Sequence, residues 1–292
     1  MVDLSEIDNK KKALFAILIG ALIAGALPAL TKIGLREVPP LTFAFLRFLL
    51  ALLFLIPYIL KQRWQDYVIV FPLSVLATLN IALFVLGIQT TTATISQLLY
   101  AGTPLITVLI SYRLLKSENK NEKILGIIVG FLGTFVILLL PIIEGNRTLS
   151  GDMFGNMLIA VGVILYSFYL SFSKKAQAKY SPLFITSSFI LSTVFVLLPF
   201  FIWETSNSLW FQNISTSGIL SILYAGLLGT LVPYYLIQYT VKHGGAVFAS
   251  LSFYLIPIFA FLMAFILLGE SLTAGILIGG ALALLGVYLA TR

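Results

Sequence analysis

Apolar residues fill this chain in ten long runs separated by short polar connections, at about 13–33, 41–60, 67–88, 93–115, 124–143, 153–173, 182–203, 218–240, 245–268 and 272–290. Most are near twenty residues, the length at which an α-helix crosses roughly 30 Å of hydrocarbon. None shows the apolar–polar alternation of a barrel strand, and no polar stretch is long enough for a soluble domain. The pattern predicts an all-α polytopic membrane protein of ten transmembrane helices.

The runs also repeat. With Ala93 set over Ala246, Pro104 falls on Pro257, Leu114-Leu115 on Leu267-Leu268, Gly126 on Gly279 and Gly133 on Gly286. A second register serves the earlier part of each half: Gly20 over Gly162, Thr31-Lys32 over Ser173-Lys174, Pro40-Leu41 over Pro182-Leu183, and Pro57 over Pro199. A unit of five crossings is odd, so its second copy starts from the opposite side of the membrane. The expected organisation is a first five-helix repeat over residues 1–147 (spans one to five) and an inverted second over 148–292 (spans six to ten), the architecture of alternating-access carriers.

Composition and charge sharpen this. The chain is 60% hydrophobic and 10% charged, with a mean hydropathy of +1.05. If the N-terminus is cytoplasmic, fourteen of the 18 Lys and Arg residues fall in inside segments, Lys32, Arg36 and Arg147 fall outside, and Arg47 lies within a span. Positive charge stays on the cytoplasmic side during insertion. Both termini are therefore expected inside, in a multi-pass protein of the cell (inner or plasma) membrane. The net charge of +7 follows from topology and calls for no nucleic acid. Lys10–Lys12, an apolar core, Ala24 and Ala26 also fit a signal peptide, but the sixth span repeats the first, so the segment is expected to stay. With no cysteine there are no disulfides, thiolate nucleophiles or cysteine metal sites, and neither metal nor cofactor is expected. Sequons at Asn146 and Asn213 fall in expected outside loops; such triplets arise by chance and carry no argument.

All eleven acidic residues, Glu204 and Glu270 among them, lie in tails, loops or span ends. Ion-coupled carriers commonly use a buried carboxylate, so facilitated transport, or coupling through the substrate's charge or backbone carbonyls, is expected. His243, the one histidine, sits at the end of span eight and reads as a solvated end residue rather than a proton relay. Arg47 is the seventh residue of span two, about 10 Å deep at the helical rise. It either snorkels or clamps carbonyls, or faces a cavity and binds a substrate carboxylate; Glu270 is a potential partner for the structural role. The matching residue in the second half is Phe189.

Span four carries a polar stripe, Ser96, Tyr100, Thr103, Thr107 and Ser111, on one helix face, with Gln97 beside it. It serves either as hydrogen-bonding glue or as a cavity wall. Span eight offers Thr230, Tyr234 and Gln238 around Pro233, which predicts a bend. Span nine offers Ser250 and Tyr254 ahead of Pro257, span six Tyr166, Tyr169 and Ser173, and span three Ser74, Thr78 and Asn80. Their concentration favours a central cavity lined with rings and hydroxyls. Pro28, Pro104, Pro233 and Pro257 are candidate hinges. Gly126, Gly130 and Gly133 in span five, with Gly275, Gly279 and Ala283 in span ten, form small-residue faces outside the cavity, for packing within the bundle or for a dimer contact.

Phe45-Leu46-Arg47-Phe48 in span two, the proline-bearing spans four and nine, Gly269-Glu270 before span ten and the closing Gly279…Gly286-Val287 resemble the drug/metabolite transporter superfamily, in particular its EamA-type ten-span members, over nearly the whole chain. The first half departs from the Gly-Glu pair, having Ser117-Glu118 displaced by one residue. The resemblance implies two inverted five-helix repeats, a cavity lined by spans one, three, four, six, eight and nine, and movement of amino acids, nucleobases or related metabolites, often outward. The expected function is a secondary transporter, an exporter of a small polar or aromatic metabolite such as an amino acid, acting as monomer or homodimer in the lipid bilayer. The expected substrate contacts are Arg47, Asn80, Gln97, Tyr100, Thr103, Thr107, Tyr166, Tyr234, Gln238, Ser250 and Tyr254. The alternatives are a flippase of a lipid-linked headgroup, which needs a lateral opening, and a non-transporting membrane subunit. An intramembrane enzyme would need paired acids, a Ser–His pair or a metal, and none is in evidence.

Overall fold

A computed structural model describes residues 4–91, 93–115, 121–143, 152–268 and 274–291. Gly269-Glu270, Ser117-Glu118, the Asn146 sequon, and Lys116, Lys120, Arg147 and Arg292 of the charge count lie outside the described residues, as does the side chain of Pro28. The described chain is helical: α1 (Leu4–Gly25), α2 (Leu27–Gly34), α3 (Pro40–Ile59), α4 (Trp64–Thr90), α5 (Ala93–Tyr100), α6 (Thr103–Leu115), α7 (Asn121–Ile143), α8 (Met153–Ala176), α9 (Pro182–Asn207), α10 (Thr216–Gly226), α11 (Val232–Gly244), α12 (Ala246–Ser250), α13 (Ser252–Leu268) and α14 (Ala274–Thr291). Among the described residues seven stretches are long and apolar enough to cross a membrane: Lys11–Gly34, Pro40–Ile59, Trp64–Thr90, Ile95–Leu114, Met153–Ala176, Pro182–Asn207 and Thr216–Gly244. Shorter apolar helices, Ile124–Val136, Ala246–Ala260 and Leu277–Ala290, fall at the other three predicted positions. Large apolar side chains such as Phe15, Phe54, Phe195 and Trp203 point outward, an arrangement stable in hydrocarbon and costly in water. The protein is a polytopic helical membrane protein.

Proline and serine mark the helix starts. Pro40 and Pro182 occupy the first turn of α3 and α9, where a missing N–H costs nothing. Ser181 and Ser215 cap α9 and α10 by accepting from Phe184 N (3.1 Å) and Gly218 N (3.2 Å). Helix α3 follows Pro39, which has no capping side chain. Glu204, near the end of α9, serves instead: its carboxylate accepts from Thr42 N (2.7 Å), Thr42 Oγ1 (2.8 Å) and Leu41 N (3.3 Å). That places a negative charge on the positive end of α3. Gly245 ends α11 with φ 91°, a conformation that favours glycine.

Four predicted spans are broken. The first divides at Ala26, just ahead of Pro28; the fourth at Ala101-Gly102, ahead of Pro104; the ninth at Leu251, ahead of Pro257. In the eighth, a π-helical turn over Leu227–Leu231 separates α10 from α11.

Packing joins the two halves of the chain. Helix α7 lies on α14, α4 on α8, α3 on α9, and α1 on both α11 and α13. The α7–α14 contact is antiparallel: Gly126 sits beside Gly286 and Ala290, and Gly133 beside Gly279 and Ala283. These small residues let the two backbones touch, so both glycine faces are used within this chain. Between α4 and α9 the glue is hydroxyl, with Tyr67–Ser187 (3.0 Å), Ser74–Ser188 (2.9 Å) and Thr78–Thr193 (2.9 Å).

Candidate functional site

The cavity lies beside the break in the eighth span. It has about 100 Å³ reachable by the centre of a water molecule, and its walls include Arg47 from α3, Asn80, Ile81 and Phe84 from α4, Gln97 and Tyr100 from α5, Tyr166 from α8, Gly229 in the π turn, Pro233 and Tyr234 from α11, and Phe253 and Ile256 from α13.

Arg47 is 1% exposed, so it does not snorkel to the surface. Two of its donors are held by the broken helix. Nε donates to Thr230 Oγ1 at 2.9 Å, and Nη2 donates to the Gly229 carbonyl at 3.4 Å. The helix break explains both bonds. Pro233 has no N–H, so the carbonyl four residues earlier, Gly229, loses its usual helical donor. The π turn lets Thr230 donate five residues back to Ala225 O (2.6 Å) while its oxygen accepts from Arg47. No described carboxylate pairs with Arg47. Its guanidinium lies 5.3 Å from the Phe48 ring centre, and the Tyr234 hydroxyl faces it.

On the opposite wall, Asn80 Nδ2 donates to the Tyr100 hydroxyl at 2.6 Å. Tyr100 stacks on Phe253 (5.4 Å between ring centres), and Phe253 meets Tyr166 edge-on at 5.7 Å. The Tyr166 hydroxyl is buried and has no hydrogen-bond partner among the described residues. Next to the cavity-lining Tyr234, the rings of Phe48, Tyr169 and Tyr234 cluster on Phe189, with centres 4.9–5.6 Å from its own. Phe189, the repeat counterpart of Arg47, thus sits in an aromatic cluster. Beyond it Gln177 Nε2 donates to Gln238 Oε1 (2.7 Å) and to Gln238 O (3.0 Å), and Gln238 Nε2 donates to Ser173 Oγ (3.3 Å).

Of the residues expected from sequence, Arg47, Asn80, Gln97, Tyr100, Tyr166 and Tyr234 share the cavity wall with Pro233. Gln238 lies in the cluster with Gln177 and Ser173 and does not line the cavity. Tyr254 stands against Gly130 and donates to Ile127 O at 2.9 Å, tying α13 to α7. Ser250 donates to Val247 O. Thr103 and Thr107 are buried without a described partner, deeper along the span-four stripe. Pro104 begins α6, Pro257 lies within α13 and Pro28 falls in the first turn of α2. His243 Nδ1 donates to Tyr239 O at 2.8 Å, and its ring stacks on the Tyr239 ring at 4.1 Å. Sequence reasoning missed Phe84, Phe253 and the Gly229 carbonyl. Pro233 is the signal that would have located the last.

Comparison with known proteins supplies the family. The profile of the EamA-like transporter family matches residues 11–139 and 153–292. The chain belongs to the EamA-like transporter family. Similar proteins include two uncharacterized transporters of Archaeoglobus fulgidus, one 28% identical over 89% of this chain and 92% of that protein, the other 29% identical over 97% and 98%. Another is the uncharacterized transporter YdfC of Bacillus subtilis, 29% identical over 93% of this chain and 88% of YdfC. A solved crystal structure shares the fold with a TM-score of 0.76 at 19% identity, covering 96% of both chains. In this EamA-like transporter, the cavity described above brings together polar groups from both halves of the chain.

Proposed function

We propose that the protein is a secondary carrier that exports a small polar or aromatic metabolite, such as an amino acid, across the cell membrane by alternating access. Ten spans form two five-helix repeats, residues 1–147 and 148–292, inverted about a central cavity, with both termini cytoplasmic. The observation that carries this reading is the convergence of Arg47, Asn80, Gln97 and Tyr100 from the first half with Tyr166 and Tyr234 from the second on one cavity beside a π-helical turn. Broken helices at the site are how membrane carriers present backbone groups to a solute.

The inversion has its own support. Gly126 corresponds to Gly279 and Gly133 to Gly286, and these equivalent segments pack antiparallel, Gly126 on Gly286 and Gly133 on Gly279. Repeats inserted in the same sense would present equivalent helices in parallel. The neighbours also exchange in pairs: α4 on α8 matches α11 on α1, and α6 on α8 matches α13 on α1. The family profile falling once on each half agrees.

The polar walls hold the substrate by hydrogen bonds and ring stacking. Thr103 and Thr107, buried without a partner among the described residues, are the groups that the alternate state satisfies, and Pro28, Pro104, Pro233 and Pro257 mark the hinges. A flippase would need its site open to lipid. The lateral groove of about 260 Å³ between α4 and α9 shares no lining residue with the cavity and is almost wholly apolar, which favours a soluble solute.

The test is counterflow in liposomes containing purified protein. Some labelled amino acid, nucleobase or related metabolite should exchange, and Arg47→Ala should reduce exchange while the protein still purifies as a folded species. A folded protein that exchanges none of these solutes would overturn the reading.

A further inference from the structure

The cavity contains one permanent charge and no described opposite charge. A guanidinium stays protonated in proteins, and Arg47 is 1% exposed. Thr230 and Gly229 take two of its five N–H donors, and the neutral Tyr234 hydroxyl also faces it. The described carboxylates are elsewhere: Glu37 accepts from Ser215, Asp66 from Lys179 and Tyr180, Glu204 from Thr42, and Asp152 is exposed. A desolvated cation with no counter-ion is costly unless an anion completes it. A second group points the same way. The Tyr166 hydroxyl, 2% exposed, lines the cavity with no described partner, and such a buried donor is strongly favoured to find an acceptor. Apart from the amides of Asn80 and Gln97 and the hydroxyls of Tyr100 and Tyr234, the remaining wall is apolar or aromatic, with Leu27, Ile81, Phe84, Phe253 and Ile256.

We infer, on the carrier reading above, that the substrate is a univalent organic carboxylate with an apolar or aromatic body, and that its own charge lets the membrane potential drive it outward without a coupling ion. A carboxylate offers the guanidinium two acceptors in a planar fork, and its lone pairs can also take the Tyr166 proton. An amine would face Arg47 as a like charge. A zwitterion would bring an ammonium to a wall that holds no described carboxylate. Nor does any described span carry an acid at the cavity through which a proton or sodium ion could be exchanged. One negative charge therefore crosses per cycle, and an inside-negative potential pushes it out.

Phenylpyruvate and phenylalanine share a body and differ in the ammonium, so they separate the cases. Protein in liposomes is given labelled phenylpyruvate under an inside-positive potassium–valinomycin potential of about 100 mV. At about 2.3 kcal/mol per charge per 100 mV, and about 1.36 kcal/mol per decade, accumulation should approach roughly 50-fold and vanish when the potential is collapsed. Phenylalanine should show no response to potential. Arg47→Gln should abolish phenylpyruvate accumulation. Should that variant fail to fold, Tyr166→Phe should raise the half-saturating concentration several-fold and leave the potential response intact. Phenylpyruvate uptake that ignores potential, or follows a proton or sodium gradient, overturns the inference. So does flux of phenylalanine or an amine without phenylpyruvate, and in that case the carrier reading stands. No flux of any solute defeats the carrier reading itself.

Discussion

Replacing Gly286 by alanine tests the contact that joins the two halves. A Cβ at position 286 would lie 2.7 Å from the Gly126 carbonyl oxygen and would also run into the backbone N and Cα of Gly130. These obstacles are main chain in an opposing helix, so no rotamer change relieves them; α7 and α14 must move apart. Overpacking of this kind costs about 1–3 kcal/mol. Alanine also gains roughly 0.5–1 kcal/mol over glycine in a helix interior, which confuses the raw value. Gly280 removes that ambiguity. It lies in the same helix, and a Cβ there meets nothing within 4 Å. Gly280→Ala should collect the helix gain alone, so the difference between the variants isolates the overlap at about 1–3 kcal/mol. Apparent melting in detergent should place Gly286→Ala several degrees below Gly280→Ala. Gly133→Ala should resemble Gly286→Ala, because its Cβ would fall 2.7 Å from Gly279 O in the equivalent contact. Equal melting temperatures for the 280 and 286 variants would refute the close approach of the two helices, and with it the support it lends to inversion.

Thr230→Val keeps the shape but leaves Arg47 Nε and Ala225 O without their partner, which should lower stability by about 1–3 kcal/mol; an unchanged melting temperature would mean that this clamp does not form. At the Asp66 contact, bonds from Lys179 and Tyr180 hold the carboxyl below its ordinary 3.8, and bonds with Tyr180 and Asp66 hold the Lys179 ammonium above its ordinary 10.5. The depressed acid contributes above its unfolded value and loses this as pH falls through its folded one; the raised lysine contributes below its unfolded value and loses this as pH rises through its folded one. The stability difference between the protein and Asp66→Asn should therefore stay flat from about pH 5 to 9 and shrink below about pH 4; a change between pH 6 and 8 would contradict the assignment. Since the chain has no cysteine, Lys61→Cys and Thr205→Cys give clean labels, and the proposed topology expects them to react from opposite sides of a sealed vesicle, the first inside and the second outside.

The helical path was legible because twenty apolar residues in a row admit few other structures, and helices occur at all ten predicted positions among the described residues. The breaks were harder to read. Ala26, Ala101-Gly102 and Leu251 look apolar in sequence; what marks each is a proline two to six residues further on. Periodicity also finds a helix face without saying which neighbour it meets. Tyr254 and Gln238 lie on polar faces, as expected, yet Tyr254 reaches Ile127 O in α7 and Gln238 reaches Gln177. Phe84 and Phe253 were invisible because a ring in an apolar span looks the same whether it faces lipid, core or cavity.

Arg47 shows most clearly why geometry was needed. In sequence its depth in span two allowed a structural clamp or a substrate ligand, and those looked like competing roles. A guanidinium has five donors in a fixed fork, so the roles need not compete. Nε and Nη2 reach Thr230 and Gly229, acceptors exposed by the π turn and by the missing N–H of Pro233. Those bonds fix the plane of the group at the cavity wall, and they come from neutral acceptors, with no described carboxylate compensating its charge. The same break that could weaken the eighth span thus orients a cation from the other half of the chain. A lysine could not divide its function in this way, since a single ammonium held by Gly229 and Thr230 would present no second, rigidly placed edge to a carboxylate.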